Sequence, residues 1–408
     1  MSGPGEPYPS REATFDAFAA RVSAGKVRTF QEFGIDVVMG ARDGAWFEDA
    51  FTGRRFLNCH CNGGVFNLGH RHPAVLAAVR EALLRLDVGN HHLVSGWRAR
   101  LAGRLCRSTG DVLAGAVFGV SGGEAVDVAL KLARGVTGRR RVVSARGGYH
   151  GHTGLAVAAG DPPYREPFGA SLAEFTQVPF DDLPALEAAV GRDTAAVLLE
   201  PIPATLGMPV PSPGYLPGVA ALCRERGARL VLDEVQTGLG RTGRTWAFEH
   251  EGVVPDALVA GKGLSGGVFP ITATLVSPEM KALLDRHPFA HVSTFGGAEP
   301  GCAAALAVLD VVEAPGFLER VREVSDRLAA AFAGLPFRLR RRGLMMGFEF
   351  PAEGAGFVAA RRMYEAGVFC LPAYNDTSVL QFLPPLVLGD AEVSDLAERV
   401  RRALGGLA

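Results

Sequence analysis

Residues 228–243 read Ala-Arg-Leu-Val-Leu-Asp-Glu-Val-Gln-Thr-Gly-Leu-Gly-Arg-Thr-Gly, and the first half of this stretch decides the fold. Arg229–Leu232 is too brief and too rich in β-favouring residues for a helix, and reads as a short buried parallel strand. Asp233 and Glu234 then fall at its carboxyl end, the edge where open α/β sheets bind ligands. A second apolar run, Pro255–Gly267 (PDALVAGKGLSGG), carries Lys262 at its end and then dissolves into glycines. A lysine at the end of a buried strand is costly as an ammonium, because its charge leaves water. That cost lowers its pKa and favours the neutral amine that a Schiff-base lysine needs. Taken singly, each residue stays open: Lys262 could snorkel to the surface and Asp233 could cap a helix. Two strand ends carrying an Asp and a Lys 29 positions apart narrow the choice.

An Asp that keeps a pyridine nitrogen protonated, beside a Schiff-base Lys, is the arrangement expected of a pyridoxal phosphate site. Asp-Glu-Val-Gln-Thr-Gly-Leu-Gly-Arg-Thr-Gly (Asp233–Gly243), with Lys262 downstream, closely resembles the class III aminotransferases. These are fold-type I pyridoxal phosphate enzymes that include the ω-amino acid transaminases, and the likeness runs in order from Val37 to Leu386. The resemblance implies an α/β fold, with a large domain on a mainly parallel sheet and a small α+β domain. It also implies a homodimer, pyridoxal 5'-phosphate held by Lys262 as a Schiff base, and transfer of an amino group between a small-molecule amino donor and a carbonyl acceptor.

Composition agrees with that scale of molecule. The chain has 408 residues, 48% hydrophobic and 21% charged, enough for a large core and two domains. A formal net charge of −1 favours neither nucleic acid nor an anionic membrane as partner. Six cysteines (Cys59, Cys61, Cys106, Cys223, Cys302, Cys370) make no disulfide framework in a chain this long, and reduced thiols point to a cytoplasmic location. Glu6, Arg11 and Glu12 precede any apolar run, unlike a secretory signal. Val253–Ser277 is largely apolar, but Asp256, Lys262, a proline and glycines argue against a membrane span. Cys59-His60-Cys61 and His91-His92 lack structural-zinc spacing, so no metal is expected.

Along the chain, residues 1–60 read as an N-terminal arm followed by strands of the small domain, with Gly3, Pro4, Pro7 and Pro9 discouraging early structure. Residues 61–300 form the large cofactor-binding domain. From Ala116 strands alternate with helices: strand to Ser121, helix Glu124–Arg134, strand Arg141–Ala145, strand Ala195–Leu199, helix Gly218–Arg226, then Arg229–Leu232 and Leu258–Ala260. Residues 301–408 read as a C-terminal α+β unit opening with the Ala-rich helix Ala303–Val312.

The remaining site candidates follow from local pattern and resemblance together. Ser121-Gly122-Gly123-Glu124 ends a strand and opens a helix, where backbone N–H groups and the helix dipole suit a phosphate. A tight turn capped by Ser121 suits it equally; the resemblance makes it a phosphate cup, normally Ser-Gly-Ser/Thr-Glu-Ala, with Gly123 in place of the hydroxyl residue. Tyr149 would be a core aromatic or, by resemblance, the cover of one pyridoxal face. His150 is then a structural partner, Glu200 a cofactor-site acid, and Gln236 the contact to the ring hydroxyl. Thr294, in Val292–Gly297, would complete the neighbouring subunit's phosphate site, a role that rests on the resemblance alone. Cys59, Asn62, Gly63 and Phe66 resemble the region lining the substrate mouth, and Trp97 and Tyr374 are further aromatic candidates.

Two positions depart from the family. Where many class III transaminases carry an Arg for the substrate's α-carboxylate, shortly before Pro-Pro-Leu, this chain has Gln381. Where the ω-amino acid transaminases commonly carry a Glu that masks that Arg, it has Thr205. A neutral Gln cannot offer the bidentate fork of an Arg, so the standard glutamate pose is not expected. The family also holds aminomutases, racemases or epimerases, and Tyr149-His150-Gly151-His152 resembles the aminomutase branch, whereas Leu239–Gly243 favours the transaminases.

Overall fold

The computed structural model describes residues 6–407. Gly3 and Pro4 lie outside them; the arm is helical from Arg11–Phe18 to Ala24–Glu32, and Arg11 ties it to Asp36 and Asp49 by ion pairs of 2.8 and 3.1 Å. Three short strands follow, β1 (Met39–Asp43), β2 (Trp46–Asp49) and β3 (Arg55–Asn58).

The centre of the molecule is a seven-stranded sheet of β4 (Gly115–Gly119), β5 (Arg141–Ala145), β6 (Phe175–Val178), β7 (Thr194–Leu199), β8 (Arg229–Asp233), β9 (Ala257–Ala260) and β10 (Thr272–Val276), in the order β4-β10-β9-β8-β7-β5-β6. Its strands are apolar because both faces are covered. In β7, Val197 and Leu199 join the core under helices Gly96–Ser108 and Tyr215–Arg226, while Ala196 and Leu198 face helix Gly122–Thr137.

The sequence reading lacked β6, helix Gly96–Ser108 and β10. The last matters most, because β10 runs antiparallel to both β9 and β4. The connection across residues 261–271 is too short for a parallel crossover, so the chain doubles back. Lys262 sits in that reversal.

The C-terminal part contributes β11 (Arg338–Arg342), β12 (Met345–Glu349), β13 (Val368–Phe369), β14 (Leu371–Pro372) and β15 (Val379–Phe382). β11-β12-β15-β14 form one antiparallel sheet, and β13 pairs in parallel with β3, joining residues 39–58 to this unit. A core of Leu57, Val324, Leu328, Phe348, Phe382 and Leu396 lies beneath. The boundary expected at 300/301 falls inside helix Glu299–Val312. That helix packs Ala304 and Val308 against Val75 and Val79 of helix Pro73–Leu83, while the C-terminal core starts at Val321. Among the described residues no single helix is long and apolar enough to cross a membrane, and no group of three His, Cys, Asp or Glu could hold a metal ion.

Candidate active site

The carboxyl ends of β4, β5, β7, β8 and β9 open into a cavity of about 540 Å³. Lys262 and Asp233 both line it, with Ser121, Gly122, Gly123, Tyr149, His150, Glu200, Gln236 and Phe66. Lys262 has φ +41°, a left-handed conformation uncommon for a side-chain-bearing residue, which turns the chain sharply after β9. Its Nζ donates to Gln236 Oε1 at 2.9 Å. Burial pushes the Lys262 amine below its usual pKa, against the opposing pull of Asp233 and Glu200. Gly63 packs beside it: a Cβ there, at φ +67°, would stand 3.3 Å from Lys262 Cε and 3.4 Å from Nζ.

Asp233 is fixed from both sides. Its Oδ1 accepts the Val235 N–H at 3.1 Å, and its Oδ2 accepts His150 Nδ1 at 2.9 Å. Burial disfavours the charged imidazole of His150, but the Asp233 hydrogen bond and the surrounding acids prevail and raise its pKa. Glu200 is pushed up to about 7 by burial, which outweighs the attraction of His150, and its Oε1 accepts the Tyr149 N–H at 2.9 Å.

The donor set suits a phosphate-bearing pyridine aldehyde. Gln236 Nε2, a donor, and the ring nitrogen His150 Nε2 are buried without a partner among the described residues, and a buried polar atom of this kind marks where a ligand's polar group belongs. Ser121 caps helix Gly122–Thr137 by accepting the Glu124 N–H at 3.3 Å, so Gly122 and Gly123 stand in the first turn, where helical N–H groups lack helical partners. A Cβ on Gly123 would lie 2.6 Å from Thr153 Oγ1, so the hydroxyl residue usual in the family would have to displace the Thr153 side chain. Thr153 lines the cavity at that point instead, and its hydroxyl donates to Asp127 at 3.0 Å.

Several of the expected residues do not line this cavity. Thr294 is exposed and stands outside its own chain's cavity. Asn62 is exposed at a left-handed turn, φ +49°. Gln381 is only 4% exposed and donates to Pro372 O at 3.3 Å, within the antiparallel sheet of β11, β12, β15 and β14. Cys59 is buried in the C-terminal core, and Trp97 and Tyr374 also stand outside the lining. Sequence reading missed wall residues Val235, Ser265, Phe269, Ile271 and Thr272. Val235 could have been found, lying between Asp233 and Gln236; the last three needed the chain reversal before β10.

Residues 31–404 match the profile of the family described as aminotransferase class-III. An uncharacterized aminotransferase of Archaeoglobus fulgidus is 49% identical over 395 residues, covering 95% of this chain and 93% of its own. The ornithine aminotransferase of Toxoplasma gondii ME49 superposes with a TM-score of 0.87 at 28% identity, covering 97% of this chain and 95% of that one. An amine transaminase from an uncultivated Pseudomonas species, solved in a PLP-bound form, gives 0.81 at 28% identity over 91% of this chain and 95% of its own. With a Lys and an Asp facing one cavity at the strand ends, and with likeness along nearly its whole length, the chain belongs to the class III aminotransferases, pyridoxal phosphate-dependent enzymes of fold type I.

Proposed function

We propose that Lys262 is the covalent anchor of pyridoxal phosphate in this aminotransferase and the base that moves the donor's proton. The observation that carries this is the amine of Lys262 held 2.9 Å from Gln236 Oε1 in the cavity that Asp233 also faces. When bound, pyridoxal phosphate supplies a carbonyl that takes up the amino group and a cationic ring that absorbs the electron pair left on the donor carbon.

The protein supplies position and charge. Burial favours the neutral form of the Lys262 amine, the form in which Nζ accepts a proton from carbon and returns it. Asp233, clamped by His150 and Val235, would hold the ring nitrogen protonated. Ser121, Gly122 and Gly123 would hold the phosphate at the start of their helix, Gln236 the ring hydroxyl, and Tyr149 one face of the ring, with Glu200 fixing the backbone of Tyr149.

The active unit in this reading is a homodimer in which Thr294 completes the partner's phosphate site. Exposed apolar side chains flank it in sequence, Val292 and Phe295, and others lie further off at Phe289, Leu93 and Val94, surface that a second copy would cover. Six buried thiols suit a reducing compartment such as the cytoplasm.

The test is spectroscopic. Purified protein with pyridoxal phosphate should show the visible band of the lysine-bound cofactor, and an amino donor should abolish it with release of a carbonyl product. Lys262→Ala should lack the band, and Asp233→Asn should keep it but react about 10²–10³-fold more slowly. A Lys262→Ala protein with an unchanged band and unchanged turnover would overturn the assignment.

A further inference from the structure

The turn after β5 leads through Gly147 and Gly148 to Tyr149 and His150, which line the cavity. The Gly147 peptide in that turn is buried and bound at both ends. Its N–H donates to both carboxylate oxygens of Asp161 at 3.0 Å. Its carbonyl oxygen accepts Thr205 Oγ1 at 2.8 Å and Asn375 Nδ2 at 3.0 Å, which occupies both lone pairs. Gly147 has φ +75°, and a Cβ there would lie 2.5 Å from Leu206 Cδ1, so conformation and room both call for glycine. Three segments distant in the chain thus converge on one peptide, two residues before the Tyr149 ring.

Asn375 reaches it from the C-terminal unit, in the loop between β14 and β15. Tyr164 Oη donates to Asn375 Oδ1 at 3.1 Å, which leaves Nδ2 facing Gly147 O; turned over, the amide would set oxygen against oxygen. The Asn375 N–H donates to Thr205 O at 2.9 Å. Arg340 braces the loop from behind, reaching Gly207 O at 2.9 Å, Glu349 at 2.6 Å and Asp376 at 3.4 Å. A donor supported in this way is presented in one place. On the ring side, Tyr164 lies 5.2 Å from His152, and His152 lies 5.2 Å from Tyr149, centroid to centroid.

We propose, resting on the reading above that Tyr149 covers one face of the cofactor ring, that Asn375 and Thr205 are positioning residues for that cover. Together they fix the Gly147 carbonyl, and through it the height and tilt of the Tyr149 ring, so the C-terminal unit helps to hold the cofactor site in register. A Gly147 peptide that loses one of its two donors can rotate about the Gly147–Gly148 pair, where no side chain resists. Asp161 on the N–H of Gly147 and Glu200 on the N–H of Tyr149 limit that rotation, so the effect is graded.

The experiment uses Asn375→Ala and Thr205→Val, which each remove one donor without adding charge, and Thr205→Ser, which keeps the hydroxyl. Amide hydrogen exchange of the full-chain apoprotein should show faster exchange at residues 147–149 in the first two. Both should weaken binding of pyridoxal phosphate about fivefold, the worth of one net hydrogen bond, and diminish the visible circular dichroism of the bound cofactor. Thr205→Ser should restore both signals. In a Tyr149→Leu background the same substitutions should change cofactor binding by less than about twofold, because the ring they position is gone. Faster exchange with unchanged binding and dichroism would show a merely structural clamp and overturn the proposal, as would equal effects in the two backgrounds. A wild-type protein that forms no visible band with pyridoxal phosphate would overturn the cofactor reading itself, and this proposal with it.

Discussion

Replacing Gly123 by Ala tests the packing that sets the phosphate end of the site. The new Cβ would fall 2.6 Å from Thr153 Oγ1, and 3.5 Å from Thr153 Cβ and Cγ2, so only the hydroxyl collides. To make room Thr153 must rotate and give up its bond to Asp127 at 3.0 Å, worth about 1 kcal/mol, while residual crowding costs about 1–2 kcal/mol. The helix gains about 0.5–1 kcal/mol from Ala over Gly, leaving a net destabilisation of about 1–2 kcal/mol. In a Thr153→Ala background the collision is absent and the helix gain remains, so the same change should stabilise slightly. The double-mutant cycle should therefore show a coupling of about 2 kcal/mol. At roughly 0.9 kcal/mol per kelvin of unfolding entropy for a chain of this length, Tm should fall by about 1–2 °C in the first background and hold or rise in the second. Scanning calorimetry of the four apoproteins measures this. Equal shifts in both backgrounds would refute the steric account of why glycine stands at this position.

Glu200 should make the apoprotein's stability depend on pH. Its folded pKa, raised to about 7 by burial, lies above that of an unfolded glutamate, so its favourable contribution is complete below about 4.5 and lost as pH rises through 7. Glu200→Gln should flatten the stability profile between about pH 5 and 8 by up to about 3 kcal/mol, and parallel profiles would count against it. Arg241, fully buried, donates to Asn67 Oδ1 at 2.6 Å and to the carbonyls of Leu344 and Pro384 at 3.0 and 2.7 Å. Arg241→Met would orphan these acceptors and cost about 3 kcal/mol or more in urea unfolding, and Arg241→Lys should not restore it, because an ammonium cannot span the fork. Gly343→Ala would bring a Cβ to 2.4 Å from Thr242 C at φ +58°, and soluble yield should fall sharply; normal yield and Tm would contradict that packing.

Much of the fold was legible because strands buried on both faces leave continuous apolar runs, and β5, β7, β8 and β9 were found with their bounds within a residue. β6 escaped because Phe175–Val178 is short and half polar, and β10 because it is joined to β9 through a glycine-rich stretch that reads as a single apolar region. The helix Gly96–Ser108 carries four arginines off its buried stripe and buries only Leu101, Leu105 and Cys106, too sparse a pattern to stand out.

The site divides in the same way. Sequence by itself determined that Asp233 and Lys262 would meet: both end apolar strands, and strand ends of a parallel sheet share one edge whatever the details of packing. It also marked Gly123, Thr205 and Gln381 as departures. Only the tertiary structure decided what those departures mean, because their surroundings come from residues distant in the chain. Thr153 fills the space a hydroxyl residue at 123 would need, Asn375 and Thr205 meet on Gly147 O, and Gln381 turns inward to Pro372. Local pattern fixes which elements form, through backbone periodicity and burial. The contacts that choose a substrate are long-range, and they exist only once the chain has closed around the cavity.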